Sequence, residues 1–343
     1  MTGEVTARNG DNRHFSHPPP TKNGDNRHLI GDSRRFAPGA GVVYNSAMTN
    51  SRPMLCLAAV VAAAITTLAA DQAGRNTAKD DPRHEEWIQM FNGRNLDGWT
   101  PKFAKHDLGE NFNDTFRVEN GLLEVRYDKW TRFDGEFGHL FYKDAFSYYR
   151  LAAEYRFVGE QVAGGPAWAM RNNGLMLHSP HPKTMVKDQD FPISLEVQLL
   201  GGLSDGKPRS TANLCTPGSN VFMNGVLHTQ HCTNSTSKTY DGDQWVRVEA
   251  EAHGDELLQH FVDGVKVIQY TKPQMGGGAV APVDPAVKVD GTPMTGGYIS
   301  IQAETAPADF RKIEILNLEG CMDPKALNYK AYFVKGDPKA CRY

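Results

Sequence analysis

The sequence predicts an all-β fold, a sandwich or barrel of antiparallel strands. Short alternating apolar and polar runs recur from Trp87 onward, tight-turn dipeptides separate them, and no long stretch carries the period of an amphipathic helix. With 343 residues, 22% charged, 40% hydrophobic and containing 33 Gly and 20 Pro, the chain has ordinary globular composition and enough length for a full core. A net charge of −3 offers no electrostatic footprint for nucleic acid.

The segment ahead of the strands reads differently. The hexapeptide Asn-Gly-Asp-Asn-Arg-His occurs at 9–14 and again at 23–28, with no apolar periodicity, so residues 1–47 are expected to be a disordered or mis-assigned leader. Residues 48–70 read as a secretory signal peptide. Arg52 precedes an uncharged run at 54–70 that ends in small residues and falls short of the roughly 20 needed to span a bilayer. Translation is then expected to start at Met48 or Met54. Residues 71–86 make a linker, 87–319 the sandwich and 320–343 a Cys-bounded tail. The implied location is secreted or periplasmic, with no membrane span after signal cleavage.

Each strand has its own signal. Residues 116–118 and 122–125 flank Asn120-Gly121, a hairpin turn signature, and 259–262 and 265–270 meet at Asp263-Gly264. Residues 149–157 alternate, as do 245–253, with Val246, Val248, Ala250 and Ala252 opposed to Arg247, Glu249, Glu251 and His253. Residues 298–304 and 311–318 complete the series, and Gly/Pro-rich loops lie at 159–165 and 275–297. With Cys56 leaving in the signal, Cys215, Cys232, Cys321 and Cys341 remain. In an exported chain that even number points to disulfides, with a zinc site as the rival reading, although no pair has the C-x₂-C spacing such sites favour. Three pairings are formally open; the local one closes two short loops, each worth about 3 kcal/mol in a chain-entropy account. The second loop would close a small C-terminal appendix resting on Leu327, Tyr329, Tyr332 and Phe333.

Period-2 alternation sorts chemistry onto one face of the strands. In 193–200, Ile193, Leu195, Val197 and Leu199 are expected to face the core, opposite Glu196 and Gln198. In 175–178, Leu175 and Leu177 oppose Met176 and His178. In 298–304, Ile299, Ile301 and Ala303 oppose Tyr298, Gln302 and Glu304. Outward faces of antiparallel sheets are commonly just solvated. These positions, however, carry Gln, Glu, His and Tyr, the amide, carboxylate and aromatic set that suits sugar hydroxyls. Trp168, Arg171 and Asn172 precede one of these strands in a Gly/Pro-rich loop and join the candidate substrate-binding set. Trp130 and His139 read as loop candidates with less support. His228 and His231, beside Cys232, fit either a metal site or a loop pinned by a disulfide. There is no phosphate loop or H-E-x-x-H.

The motifs together resemble the 3-keto-disaccharide hydrolase domain family. Met90-Phe91-Asn92-Gly93-Arg94-Asn95-Leu96-Asp97-Gly98-Trp99 is similar to its opening motif, and the likeness continues through 116–123, 172–178, 195–199, 297–302 and 309–315. His178 stands where many members have Arg, and Leu200-Gly201-Gly202 replaces a customary Asp. The resemblance implies a concanavalin-like jelly roll with a sugar-handling concave face. It also implies a substrate glycoside whose sugar carries a ketone at C3, supplied by a sugar-3-dehydrogenase. On that chemistry Glu196 is expected to be the base, His178 the acid or oxyanion donor, Gln198 and Gln302 the orienting amides, and Glu304 a second carboxylate. A divalent metal on His178 and Glu196 is an alternative electrophile. A lectin-like binding module is the alternative without catalysis.

Overall fold

The computed structural model describes residues 79–343. The expected leader and signal peptide lie outside the described residues, as does the first half of the expected linker, 71–78. Two antiparallel sheets face one another across a shared apolar core. The larger runs Val226–His228, Ser219–Met223, Val265–Met275, Leu257–Val262, Val246–His253, Tyr148–Phe157, Ala308–Asn317, Leu122–Val125 and Phe116–Glu119, with Ile88–Gln89 added against Ala308–Asn317. The smaller runs Cys232–Thr233, Asn213–Cys215, Leu195–Leu200, Asn172–Ser179, Gly297–Ala303, Gly138–Phe146 and Trp99–Phe103. The antiparallel sandwich is the fold class that the alternation predicts. Among the described residues, no helix is long and apolar enough to cross a membrane.

Alternation builds the core. Val246–His253 buries every second residue, and Ala252, Ala250 and Val248 pair with Tyr149, Leu151 and Ala153. From the smaller sheet, Leu175, Leu177, Leu195, Val197, Leu199, Ile299, Ile301 and Ala303 enter the same cluster. Both predicted turns form. Asn120 (φ 52) and Gly121 (φ 80), like Asp263 (φ 49) and Gly264 (φ 78), hold the left-handed backbone that a two-residue hairpin needs.

The outer faces of the two sheets differ in a way that locates the site. On the larger sheet, outward charges pair: Arg150 with Glu251 at 2.7 Å, Arg247 with Glu249 at 2.8 Å, Lys312 with Glu314 at 2.9 Å. On the smaller sheet, outward polar groups are buried beneath loops and several have no partner at all.

The tail closes as the local pairing requires, through Cys321–Cys341, and Cys215–Cys232 forms likewise. A two-residue parallel ladder joins Glu319–Gly320 to Lys335–Gly336. Tyr332 packs against the satellite cluster of Tyr148, Leu316 and Leu318.

Candidate active site

Cross-strand register assembles the floor. His139 pairs with Gln302, Ser300 with Met176, Met176 with Glu196, and Glu196 with Cys215. One row along, Gly174 pairs with Gln198 and Gln198 with Asn213. All of these side chains belong to the face opposite the core, because residues directly across a ladder point the same way.

A cavity of about 400 Å³ opens over this floor. Glu196, Gln198, Glu304, Asn172 and Trp168 line it, so five of the predicted site residues converge. Asp190, Phe191, Pro217, His231, Ala279 and the Cys215–Cys232 bridge supply the remaining wall. Trp168, 55% exposed, stands at the rim with its ring 6.0 Å from that of Phe137.

Glu196 lies across Gly174. A Cβ at position 174 would sit 2.5 Å from Glu196 Oε1, so only glycine leaves that space. The carboxylate is buried, and Oε1 has no hydrogen-bond partner. Burial pushes its pKa up to about 8. Glu304 is equally enclosed, with Oε2 unpartnered; burial first, and the nearby Glu196 charge second, raise it well above the usual carboxylate range. Two enclosed carboxyls whose charges interact titrate as a pair. Gln198 Oε1 accepts from Asn213 Nδ2 at 3.1 Å, which fixes the amide and frees its nitrogen for a ligand. Asn172 Oδ1 is buried without a partner. Gln302 sits on the same face, fully buried, with both amide atoms unpartnered.

Three predicted residues lie elsewhere. His178 is expected beside Glu196 but adopts φ 55 at a bulge, where Tyr298 pairs with Ser179 and Ser300 with Met176. The extra residue turns the imidazole into the core side, against the Tyr149 ring at 5.7 Å, with Nδ1 bonded to Met294 O at 3.0 Å. A shared metal on His178 and Glu196 is therefore ruled out by geometry. Arg171 folds back over Phe157, its guanidinium carbon 5.5 Å from the ring, and donates to Gly242 O. Tyr298 stands one bulge away, edge-on to His181 at 4.7 Å, outside the cavity lining.

The grouping of Cys215, His231 and Cys232 places three ligand-type atoms within 4.8 Å of one another. Both sulfurs are spent in the disulfide, so the loop reading holds for His231. His139 is the floor residue that sequence reasoning misplaced. It sits on Gly138–Phe146, a strand whose first five residues are buried without alternation, rather than in a loop. Asp190 and Phe191 had no signal, since they come from an irregular segment.

The sequence profile described as the 3-keto-alpha-glucoside-1,2-lyase-like domain matches residues 86–316. No curated protein matches this chain. Solved structures similar to it include a candidate glycosyl hydrolase from Parabacteroides distasonis ATCC 8503, at 14% identity over 68% of this chain and 100% of its own, with a TM-score of 0.41. The carbohydrate binding module CBM66 from Bacillus subtilis is 13% identical over 64% of this chain and 96% of its own, at TM-score 0.34. The exoplasmic/lumenal domain of VIP36, in a Ca2+/Man3GlcNAc-bound form, is 10% identical over 70% and 93%, at TM-score 0.37. With the profile spanning most of the sandwich, the chain belongs to the 3-keto-alpha-glucoside-1,2-lyase-like domain family.

Proposed function

We propose that this chain is an exported enzyme that cleaves 3-keto-glycosides by elimination across C1 and C2, followed by hydration. The observation that carries the reading is the pair of buried carboxyls, Glu196 and Glu304, in a cavity with amide groups of both senses.

A ketone at C3 acidifies the C2 proton. Glu196 takes that proton, the electron pair forms an enediolate, and its collapse to a C1–C2 double bond expels the C1 oxygen. Glu304, held protonated by burial and by Glu196, gives its proton to the departing oxygen. Water then adds to C1 of the enone and a proton returns to C2, so the sum is hydrolysis. Gln198 Nε2, on the cavity lining, is the donor for the developing enediolate. Glu304 thereby takes the acid role that His178 cannot fill from the core side. A sugar-3-dehydrogenase upstream would supply the ketone, and the two disulfides fit a secreted or periplasmic location.

The test is incubation of the purified mature protein with 3-keto-glucosides, following release of the aglycone. Wild type is expected to release it, and Glu196→Gln to lose about 10²–10⁴-fold in kcat while still binding the sugar. Binding without release by wild type would make the protein a lectin-like module instead.

A further inference from the structure

The floor continues beyond the cavity. His139 is fully buried, and neither ring nitrogen has a partner. Directly across the ladder, both amide atoms of Gln302 are equally bare, and two residues along the same strand Ser300 Oγ is too. Buried polar groups are nearly always hydrogen-bonded, and the exceptions in native proteins call for a function. Five such atoms on adjacent strands of one face make a cluster rather than an accident of packing.

An aromatic cover separates this cluster from the cavity. The Phe191 ring stands edge-on to His139 at 5.7 Å and packs on Phe137 at 4.7 Å. Phe191 lines the cavity, whereas His139, Ser300 and Gln302 do not reach it. Phe191 lies in irregular chain between the short helical turn Pro182–Thr184 and the strand Leu195–Leu200, and its N–H goes to the adjacent Asp190 Oδ1 at 2.7 Å. No ladder pairing holds it in place.

We propose that His139, Ser300 and Gln302 form a second saccharide subsite, contiguous with Glu196 and Glu304, which opens when the Phe191 ring moves off the His139 imidazole. The assignment rests on the keto-glycoside reading of the cavity and adds where the second sugar sits. The ligand class follows from the donors. Burial, with Lys102 nearby, holds the imidazole neutral, its pKa lowered to about 3, so it offers one donor and one acceptor. Gln302 offers both senses and Ser300 a hydroxyl. That set matches the hydroxyls of an uncharged sugar ring. It does not match a phosphorylated one, because Lys102 Nζ is already committed to the carbonyls of Phe103, His106 and Lys187.

The test compares a disaccharide oxidised at C3 of its glucosyl unit with methyl 3-keto-α-glucoside, by calorimetric binding and turnover. Wild type is expected to bind the disaccharide at least ten-fold more tightly. His139→Phe and Gln302→Met should each remove that preference while keeping the methyl glycoside affinity. His139→Phe should also melt about 2–4 °C higher, because an apolar ring replaces two unpaired nitrogens. A disaccharide preference that survives in both variants overturns the subsite, as does a lower melting temperature for His139→Phe. Turnover of the methyl glycoside with no disaccharide preference in wild type defeats the subsite alone. Failure to bind or cleave either sugar defeats the keto-glycoside reading together with it.

Discussion

Gly174 decides where Glu196 can lie. It needs no unusual backbone; what matters is the missing Cβ, whose space the carboxylate occupies. Gly174→Ala is therefore expected to push the carboxylate off its position and cut kcat ten-fold or more, at a stability cost of about 1–3 kcal/mol. Steady-state kinetics with a melting curve checks both; unchanged kcat would mean that Glu196 need not lie there. At this scale the sequence was partly legible. Glu196, Gln198 and Glu304 were readable because each opposes apolar neighbours at period 2. His178 was not, because a single left-handed residue at a bulge reverses the parity and nothing in local composition announces it.

Between elements, the Cys215–Cys232 bridge ties the edge strand Cys232–Thr233 to Asn213–Cys215 and forms part of the cavity wall. Cys215 pairs directly with Glu196, so the bridge braces the strand next to the proposed base. The double variant Cys215→Ser with Cys232→Ser is expected to lose about 3 kcal/mol for a loop of this length. It should also raise KM, with kcat less affected, because the wall loosens while the floor stays. A denaturant melt and a kinetic comparison decide it; an unaltered KM would remove the bridge from the site. Strands with turn dipeptides or clean alternation were legible in sequence. Gly138–Phe146 was not, because its first half is buried on both faces and shows no period. Loop residues such as Asp190 and Phe191 reach the cavity only through tertiary folding, which no local pattern encodes.

Across the whole molecule, buried titrating groups set opposite pH limits. His139, His178 and His260 are buried with pKa lowered to about 3, 4 and 4, chiefly by desolvation. Their unfolded forms bind protons first, so the stability they contribute is present above about pH 6.5 and lost as pH falls toward 4 and 3. Glu196 and Glu304 are raised, so their contribution is present at low pH and lost as pH rises through about 8 and beyond. Stability is expected to peak near neutrality and fall on both sides. Glu196→Gln should melt with wild type at pH 4 and above it at pH 8, a gap that thermal melts across pH would reveal; a constant gap would contradict the buried ionisation. The same pair implies a bell-shaped kcat/KM, rising as Glu196 loses its proton and falling as Glu304 does.

The central claim is that Glu196 removes the C2 proton of a 3-keto sugar. Its most direct measurement is proton exchange at C2 of a 3-keto-glucoside in D2O, followed by NMR with wild type and Glu196→Gln. Wild type should wash deuterium into C2 of recovered substrate or product, and Glu196→Gln should bind the same sugar without exchange. Exchange at an undiminished rate in Glu196→Gln would contradict the account.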